Sequence, residues 1–141
     1  MKIFDCFMYY DEDIVLDLRL NILNRYVDKF VIVESKYTHS GEKRKLLFDI
    51  NKYSKFKTKI DYIILDNEPE NLEIISDADN EDKKNSKYIM NALKRENFQR
   101  NGITKGLKMA NKEDLIIISD VDEIPNLSIL NIEKIKNEII L

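Results

Sequence analysis

Leu115-Ile116-Ile117-Ile118 is an apolar run that passes directly into Ser119-Asp120-Val121-Asp122-Glu123-Ile124-Pro125. No polar residue alternates within the run, which predicts a strand covered on both faces, as in a parallel sheet. Three carboxylates follow within four residues, and a proline closes the stretch. Acids crowded at the end of a buried strand repel one another and resist desolvation. A hard divalent cation relieves both costs, because Mg²⁺ or Mn²⁺ prefers carboxylate oxygen and bridges to phosphate. In open α/β sheets, ligands collect beyond the carboxyl ends of the strands. The stretch therefore predicts a metal-assisted phosphate or nucleotide site.

Two further Asp-x-Asp patterns need a separate reading. Asp11-Glu12-Asp13 opens a predicted helix, where acids suit the helix dipole. Asp77-Ala78-Asp79 falls in a polar loop. Asp is mostly a surface residue, so both are read as structural or solvated. Only the third pattern follows a buried run.

Taken in order, the chain alternates strands and helices. Ile3 to Met8 reads as a first strand interrupted by Asp5. Asp11 is a candidate N-cap for a helix over 12–26, with Ile14, Leu18, Ile22 and Tyr26 on its inner face and Val15, Leu23 and Val27 beside them. Phe30-Val31-Ile32-Val33 is a second buried run, ending at Glu34-Ser35, and completes a right-handed βαβ unit. Lys36 to Lys45 is a polar loop in which His39 reads as solvated. Leu46 to Phe56 suggests a short irregular helix, and 60–65 a third strand. Asp66 to Asp82 is an acidic loop, long enough to move or to cover a site.

The main helix is expected over 86–110, with Ile89, Ala92, Leu93, Ile103, Leu107 and Ala110 as its apolar stripe. Glu96, Gln99 and Arg100 interrupt that stripe. Glu96 and Arg100 are i,i+4 neighbours, and both mutual pairing and ligand contact stay open from spacing alone. Gly102 and Gly106 permit close backbone approach at a cost in helix propensity. A fourth strand follows at 115–118, and a last helix from Ser128 to Leu141. That helix would end on apolar, uncapped Ile139-Ile140-Leu141, which suggests a chain cut inside its last helix.

The totals exclude several classes. A chain of 141 residues suits one domain with a real core, and 43% hydrophobic with 35% charged residues describes a globular protein. Net charge is −3, with basic residues mixed among the acids, which argues against nucleic acid as partner. No apolar run is long enough for a transmembrane segment, and Lys2 followed by Asp5 leads to the expectation that the opening residues are not a signal peptide. Cys6 is alone, so no intrachain disulfide forms and a reducing compartment fits. The expected location is the cytoplasm, or the periphery of a membrane. One His and one Cys also exclude a zinc site of the usual ligand set.

Five blocks now stand in order. They are Lys2-Ile3-Phe4-Asp5-Cys6-Phe7, Val31-Ile32-Val33-Glu34-Ser35, Tyr37-Thr38-His39-Ser40-Gly41, Arg95-Glu96-Asn97-Phe98-Gln99-Arg100-Asn101 and Ile118-Ser119-Asp120-Val121-Asp122-Glu123-Ile124-Pro125. Together they resemble the N-terminal half of glycosyltransferase family 17. That family includes the transferase that adds the bisecting N-acetylglucosamine to N-glycans, and many bacterial relatives of unknown acceptor.

The resemblance implies a GT-A-like α/β fold, a mainly parallel Rossmann-like sheet flanked by helices. Residues 1–141 would then be the nucleotide-sugar-binding part of one domain, without its acceptor half. It also implies a UDP-N-acetylglucosamine-type donor, a glycan acceptor, and inversion at the anomeric carbon. Asp120 and Asp122 would hold Mn²⁺ or Mg²⁺ against the donor diphosphate, the Lewis-acid role. Arg95, Gln99 and Arg100 would contact the donor, with Glu34 and Ser35 near the nucleoside. In such enzymes the general base normally comes from beyond the Asp-x-Asp segment, so none is assigned here.

Two other readings compete. A Mg²⁺-dependent phosphohydrolase also uses an Asp-x-Asp loop, but on a first strand and followed by a small hydroxyl residue, where this chain has Glu123-Ile124. A fragment that binds nucleotide sugar without turnover is the non-catalytic alternative.

Overall fold

The computed structural model describes residues 1–130 and 135. Strands β1 (Ile3–Met8), β2 (Lys29–Ser35), β3 (Ile60–Leu65) and β4 (Leu115–Ile118) form one parallel sheet, in the order β3-β2-β1-β4. Helices α1 (Asp13–Leu23) and α2 (Glu81–Asn101) accompany it, with 3-10 helices at Ile50–Phe56 and Gly102–Gly106. This is the expected α/β fold. Most of the expected last helix, at 131–134 and 136–141, lies outside the described residues, and Leu127–Ile129 before it form a turn.

Side chains alternate across the two central strands. Ile3 and Phe7 of β1, with Phe30 and Ile32 of β2, pack with Leu16, Leu20 and Leu23 of α1 and with Tyr53 and Phe56. Phe4, Cys6, Val31 and Val33 pack on the other face with Leu65, Ile103, Phe98 and Leu107. Both faces are covered, so, Asp5 and the ends of β2 apart, the two strands carry apolar residues in succession rather than alternating with polar ones. Burial pushes the Cys6 thiol up to about 12.

The strand order decides where a ligand can enter. The chain moves from β1 outward through β2 to β3, then returns through α2 to place β4 on the opposite side of β1. β1 and β4 are thus the neighbours at which the strand order reverses, and beyond their carboxyl ends lies the usual ligand position in such sheets.

Several expectations are corrected. Strand β4 is only half-buried: Leu115 and Ile117 pack on one core cluster and Ile116 on the other, but among the described residues it pairs with β1 alone, and Ile118 is half exposed. Helix α1 is shorter than 12–26, and its buried side is Leu16, Arg19, Leu20 and Leu23, while Ile14, Leu18 and Ile22 face outward. The N-cap is Glu12 rather than Asp11, and it makes no side-chain cap. Two apolar stripes run along this helix, and the buried one is the stripe that carries an arginine able to pair with Asp5.

Helix α2 begins five residues before the expected start, because the Asn80 side chain caps it by accepting from Lys83 N, and Glu81 and Asp82 suit its first turn. It ends at Asn101. Beyond that point the chain tightens into the 3-10 turn so that Gly102 and Gly106 can lie against the sheet. A Cβ on Gly102 would stand 2.8 Å from Leu65, and one on Gly106 2.4 Å from Val31. Ile89 and Leu93, expected in the apolar stripe, are exposed, and Asn91 is the buried residue of α2. Asn91 exchanges two hydrogen bonds with the Glu73 backbone, at 2.7 and 2.9 Å. Lys94 adds Asn71 O and Glu73, and Lys87 adds Ile74 O and Asp79. The loop after β3 is thereby strapped along α2 by polar bonds.

Candidate functional site

A cleft of about 610 Å³ opens at the carboxyl ends of β1, β2 and β4. Met8, Tyr9 and Tyr10 follow β1 into it, and Glu12 and Val15 enter from α1. Ser35 ends β2, and Tyr37 to Ser40 form the wall beyond it. Gln99 reaches in from α2, and Asp120-Val121-Asp122 close the side beyond β4. No residue of the loop after β3 lines the cleft.

Each wall is fixed by identifiable bonds. The 37–43 segment is a small hairpin, with Tyr37 bridged to Lys43 and Gly41 N donating to Thr38 O at 3.0 Å. Gly41 has φ +92°, a region that favours glycine. Gln99 Nε2 donates to Tyr37 O at 3.0 Å, and its amide oxygen lies 3.1 Å from His39 Nε2. His39 is exposed, as expected, and also borders the cleft. Arg44 binds the carbonyls of Ser35 and Tyr10 and lies 4.2 Å from the Tyr10 ring centroid. At the far wall, Tyr9 and Tyr53 hydroxyls both donate to Asp13 Oδ1, at 2.6 and 2.9 Å. Burial, and then that bond, raises both phenols above their ordinary range.

The acidic turn has a buried foundation. Arg19 and Asp5 are both fully buried and meet through two bonds, Nε to Oδ2 at 2.9 Å and one terminal nitrogen to Oδ1 at 2.7 Å. The same nitrogen donates to Ser119 Oγ at 2.7 Å. Its twin donates to the carbonyls of Asp120, Val121 and Glu123, at 2.7, 3.1 and 3.1 Å. Arg19 also lies 4.6 Å from the Phe7 ring centroid. A pair this deep is tolerable because every guanidinium donor has an acceptor, and removing one partner alone costs about 3–5 kcal/mol.

Above this foundation Val121 is buried while Asp120 and Asp122 are exposed. Glu123 Oε2 accepts from Asp120 N at 3.1 Å, and Ser119 Oγ donates to Glu123 O at 3.1 Å. Arg100 stands between Glu96 and Asp120, at 3.4 and 3.3 Å, so the mutual pairing left open by the sequence is made and a second carboxylate joins it. Among the described residues no group of three or more His, Cys, Asp or Glu side chains gathers into a metal cage. A two-carboxylate set suits a cation that completes its shell with phosphate oxygen and water, as Mg²⁺ does.

The structure brings Ser35, Gln99, Asp120 and Asp122 to one cleft, with Arg100 joined through Asp120. Glu34 and Arg95 lie elsewhere. Glu34 is fully buried, accepting from Leu47 N, Phe48 N and Tyr62 Oη at 2.7, 3.1 and 2.6 Å, with Arg44 at 3.1 Å. Arg95 is bound to Glu68 at 2.6 Å and to His39 O at 3.2 Å. Sequence reasoning missed Arg44 and Arg19. The signal available for Arg19 was a lone acid, Asp5, inside an otherwise apolar strand.

A parallel sheet whose strand order reverses beside a cleft at its carboxyl ends is the arrangement in which open α/β proteins collect their ligands. The model of glycosyltransferase family 17 matches residues 1–140, and the chain belongs to that family. No curated protein and no solved structure matches the chain. The family's substrates are a sugar donor and an acceptor. No helix among the described residues is long and apolar enough to cross a membrane.

Proposed function

We propose that the chain binds a UDP-sugar of the N-acetylglucosamine type and serves its metal-assisted transfer, with inversion, to a glycan acceptor. The observation that carries this reading is the convergence of Asp120, Asp122, Ser35 and Gln99 on one cleft at the switch point of a family 17 chain. In this reading residues 1–141 are the donor-binding part of the transferase domain. Asp120 and Asp122 hold Mn²⁺ or Mg²⁺, which when bound neutralises charge on the leaving diphosphate. Arg100, already beside Asp120, offers charge-assisted bonds to the same phosphates. Ser35 and Gln99 contact the nucleoside side of the donor. Arg95 acts from behind on the wall that Tyr37 to Ser40 present, through His39 O, and Glu34 acts through Arg44, which binds Ser35 O and Tyr10 O. An inverting transfer needs a general base for the acceptor hydroxyl. Glu123 is occupied with the Asp120 amide and is not assigned that role.

Calorimetry of UDP binding, with Mn²⁺ and in chelator, tests the reading. If the metal and the diphosphate share Asp120 and Asp122, each must strengthen the other's binding by the same factor. Asp122→Asn keeps the shape, removes the charge, and should abolish most of that enhancement. Asp79→Asn should leave it intact. Equal UDP affinity in Mn²⁺ and chelator would overturn the metal assignment.

A further inference from the structure

We propose that Arg19 is a positioning residue for the acidic turn, and that Asp5 is present to neutralise it. The inference rests on the metal reading of Asp120 and Asp122. Arg19 is not itself among the cleft-lining residues, yet it binds four acceptors of the segment Ser119 to Glu123. Three of these are carbonyls drawn to a single nitrogen, which ties the turn backbone at Asp120, Val121 and Glu123. In the turn so tied Val121 points inward and its two acidic neighbours are exposed beside the cleft.

Charge explains the partner. An unneutralised guanidinium directly beneath two carboxylates would act as their counter-ion and compete with a cation in the cleft. Asp5 takes both remaining donor directions of Arg19 and cancels its charge at 2.7 Å. Asp120 and Asp122 then keep their full attraction for a divalent ion, while the backbone keeps its hydrogen bonds. Lysine could not substitute, since one ammonium cannot reach Asp5, Ser119 and three carbonyls together.

The test uses the intact chain and reads melting and UDP calorimetry with Mn²⁺ and in chelator. The double replacement Asp5→Leu with Arg19→Met removes both buried ions and leaves neither unpaired. It and Arg19→Lys should melt cooperatively and bind UDP in chelator as the wild type does, yet lose about tenfold or more of the Mn²⁺ enhancement, the usual scale for a residue that orients a metal ligand. Ser119→Ala, which deletes one Arg19 acceptor at a partly exposed position, should lose a smaller part. If the double replacement fails to melt cooperatively, Arg19→Lys and Ser119→Ala decide. Folded variants that keep the full enhancement overturn the proposal, as does equal weakening in Mn²⁺ and chelator, which would mark a merely structural role. An absent enhancement in the wild type would overturn the metal reading, and this inference with it, before any substitution is made.

Discussion

Gly41 lies flat against the guanidinium of Arg95, so close that a Cβ on the glycine would stand 2.5 Å from one terminal nitrogen. The contact joins the hairpin beyond β2 to α2 and holds one wall of the cleft. Gly41→Ala must accept a positive φ and also push Arg95 away from Glu68 and the His39 carbonyl. The backbone part alone costs about 1–2 kcal/mol. Urea denaturation should show at least that loss, and UDP affinity should fall with it. An unchanged midpoint would mean that the hairpin is not held by this contact.

Glu34 offers a way to separate support from recognition. Its carboxylate accepts from two backbone amides and a tyrosine hydroxyl, with Arg44 alongside. Glu34→Gln turns an NH₂ group toward donors and leaves Arg44 without its buried counter-charge. The expected loss of stability is roughly 2–3 kcal/mol, the scale for hydrogen bonds to a charged group. UDP affinity of the folded variant should change less than it does in Asp122→Asn. A stable variant with lost UDP binding would return Glu34 to the role of a direct donor contact.

The strands were legible because two-sided burial writes itself into sequence as unbroken runs, and Val31-Ile32-Val33 could be little else. Strand β4 looked the same from its four apolar residues, since sequence does not record that, among the described residues, one neighbour alone pairs with it. Helix faces were harder. Ile14, Leu18 and Ile22 form as good a stripe as Leu16, Leu20 and Leu23, and the deciding residue, Arg19, looked like surface. Its partner Asp5 is fourteen positions away and its other acceptors about a hundred, so no local pattern joins them. The start of α2 was hidden for a different reason. Its first turns are wholly polar, and only the Asn80 cap and the acids after it announce a helix. In the site, Asp120 and Asp122 could be read from chemistry plus strand context. Glu34 could not, because the same strand end that points Ser35 into the cleft turns Glu34 beneath it.

Asp79 makes a pH-dependent contribution of definite sign. Lys87 first, then the Ser76 amide and Lys83, hold its carboxyl well below the usual carboxylate range. In the unfolded chain it titrates at about pH 4. The folded state therefore gains stability that is fully present above that pH and is lost as pH falls through the depressed folded value. Asp79→Asn should lower the melting temperature at pH 7, and the gap to wild type should narrow once the solution is acidified below about pH 4. A gap of constant size across that range would show that the ion pairs are not its source.

Arg100 carries the last prediction, because its present partners and its proposed one compete. The guanidinium sits between Glu96 and Asp120, at 3.4 and 3.3 Å, with its side chain and both carboxylates substantially exposed. Exposed pairs of this kind stabilise a fold by about 1 kcal/mol or less, so the fold does not depend on it. Its proposed value lies in being an exposed cation next to a carboxylate that a metal would claim. In the proposed donor complex a cation on Asp120 would release Arg100 toward the diphosphate. Arg100→Glu should therefore weaken UDP binding in Mn²⁺ by about tenfold, or 1.4 kcal/mol, with little change in melting. Lys108→Glu, the same reversal at an exposed site away from the cleft, should have almost no effect. Arg100→Ala adds a distinction that charge reversal cannot, for it removes the cation that competes for Asp120. Mn²⁺ should then bind more tightly in the absence of UDP, while UDP itself binds more weakly. Titrating Mn²⁺ and UDP separately into Arg100→Ala reads both effects, and a fall in both affinities would show that Arg100 holds the acidic turn in place instead of answering the donor.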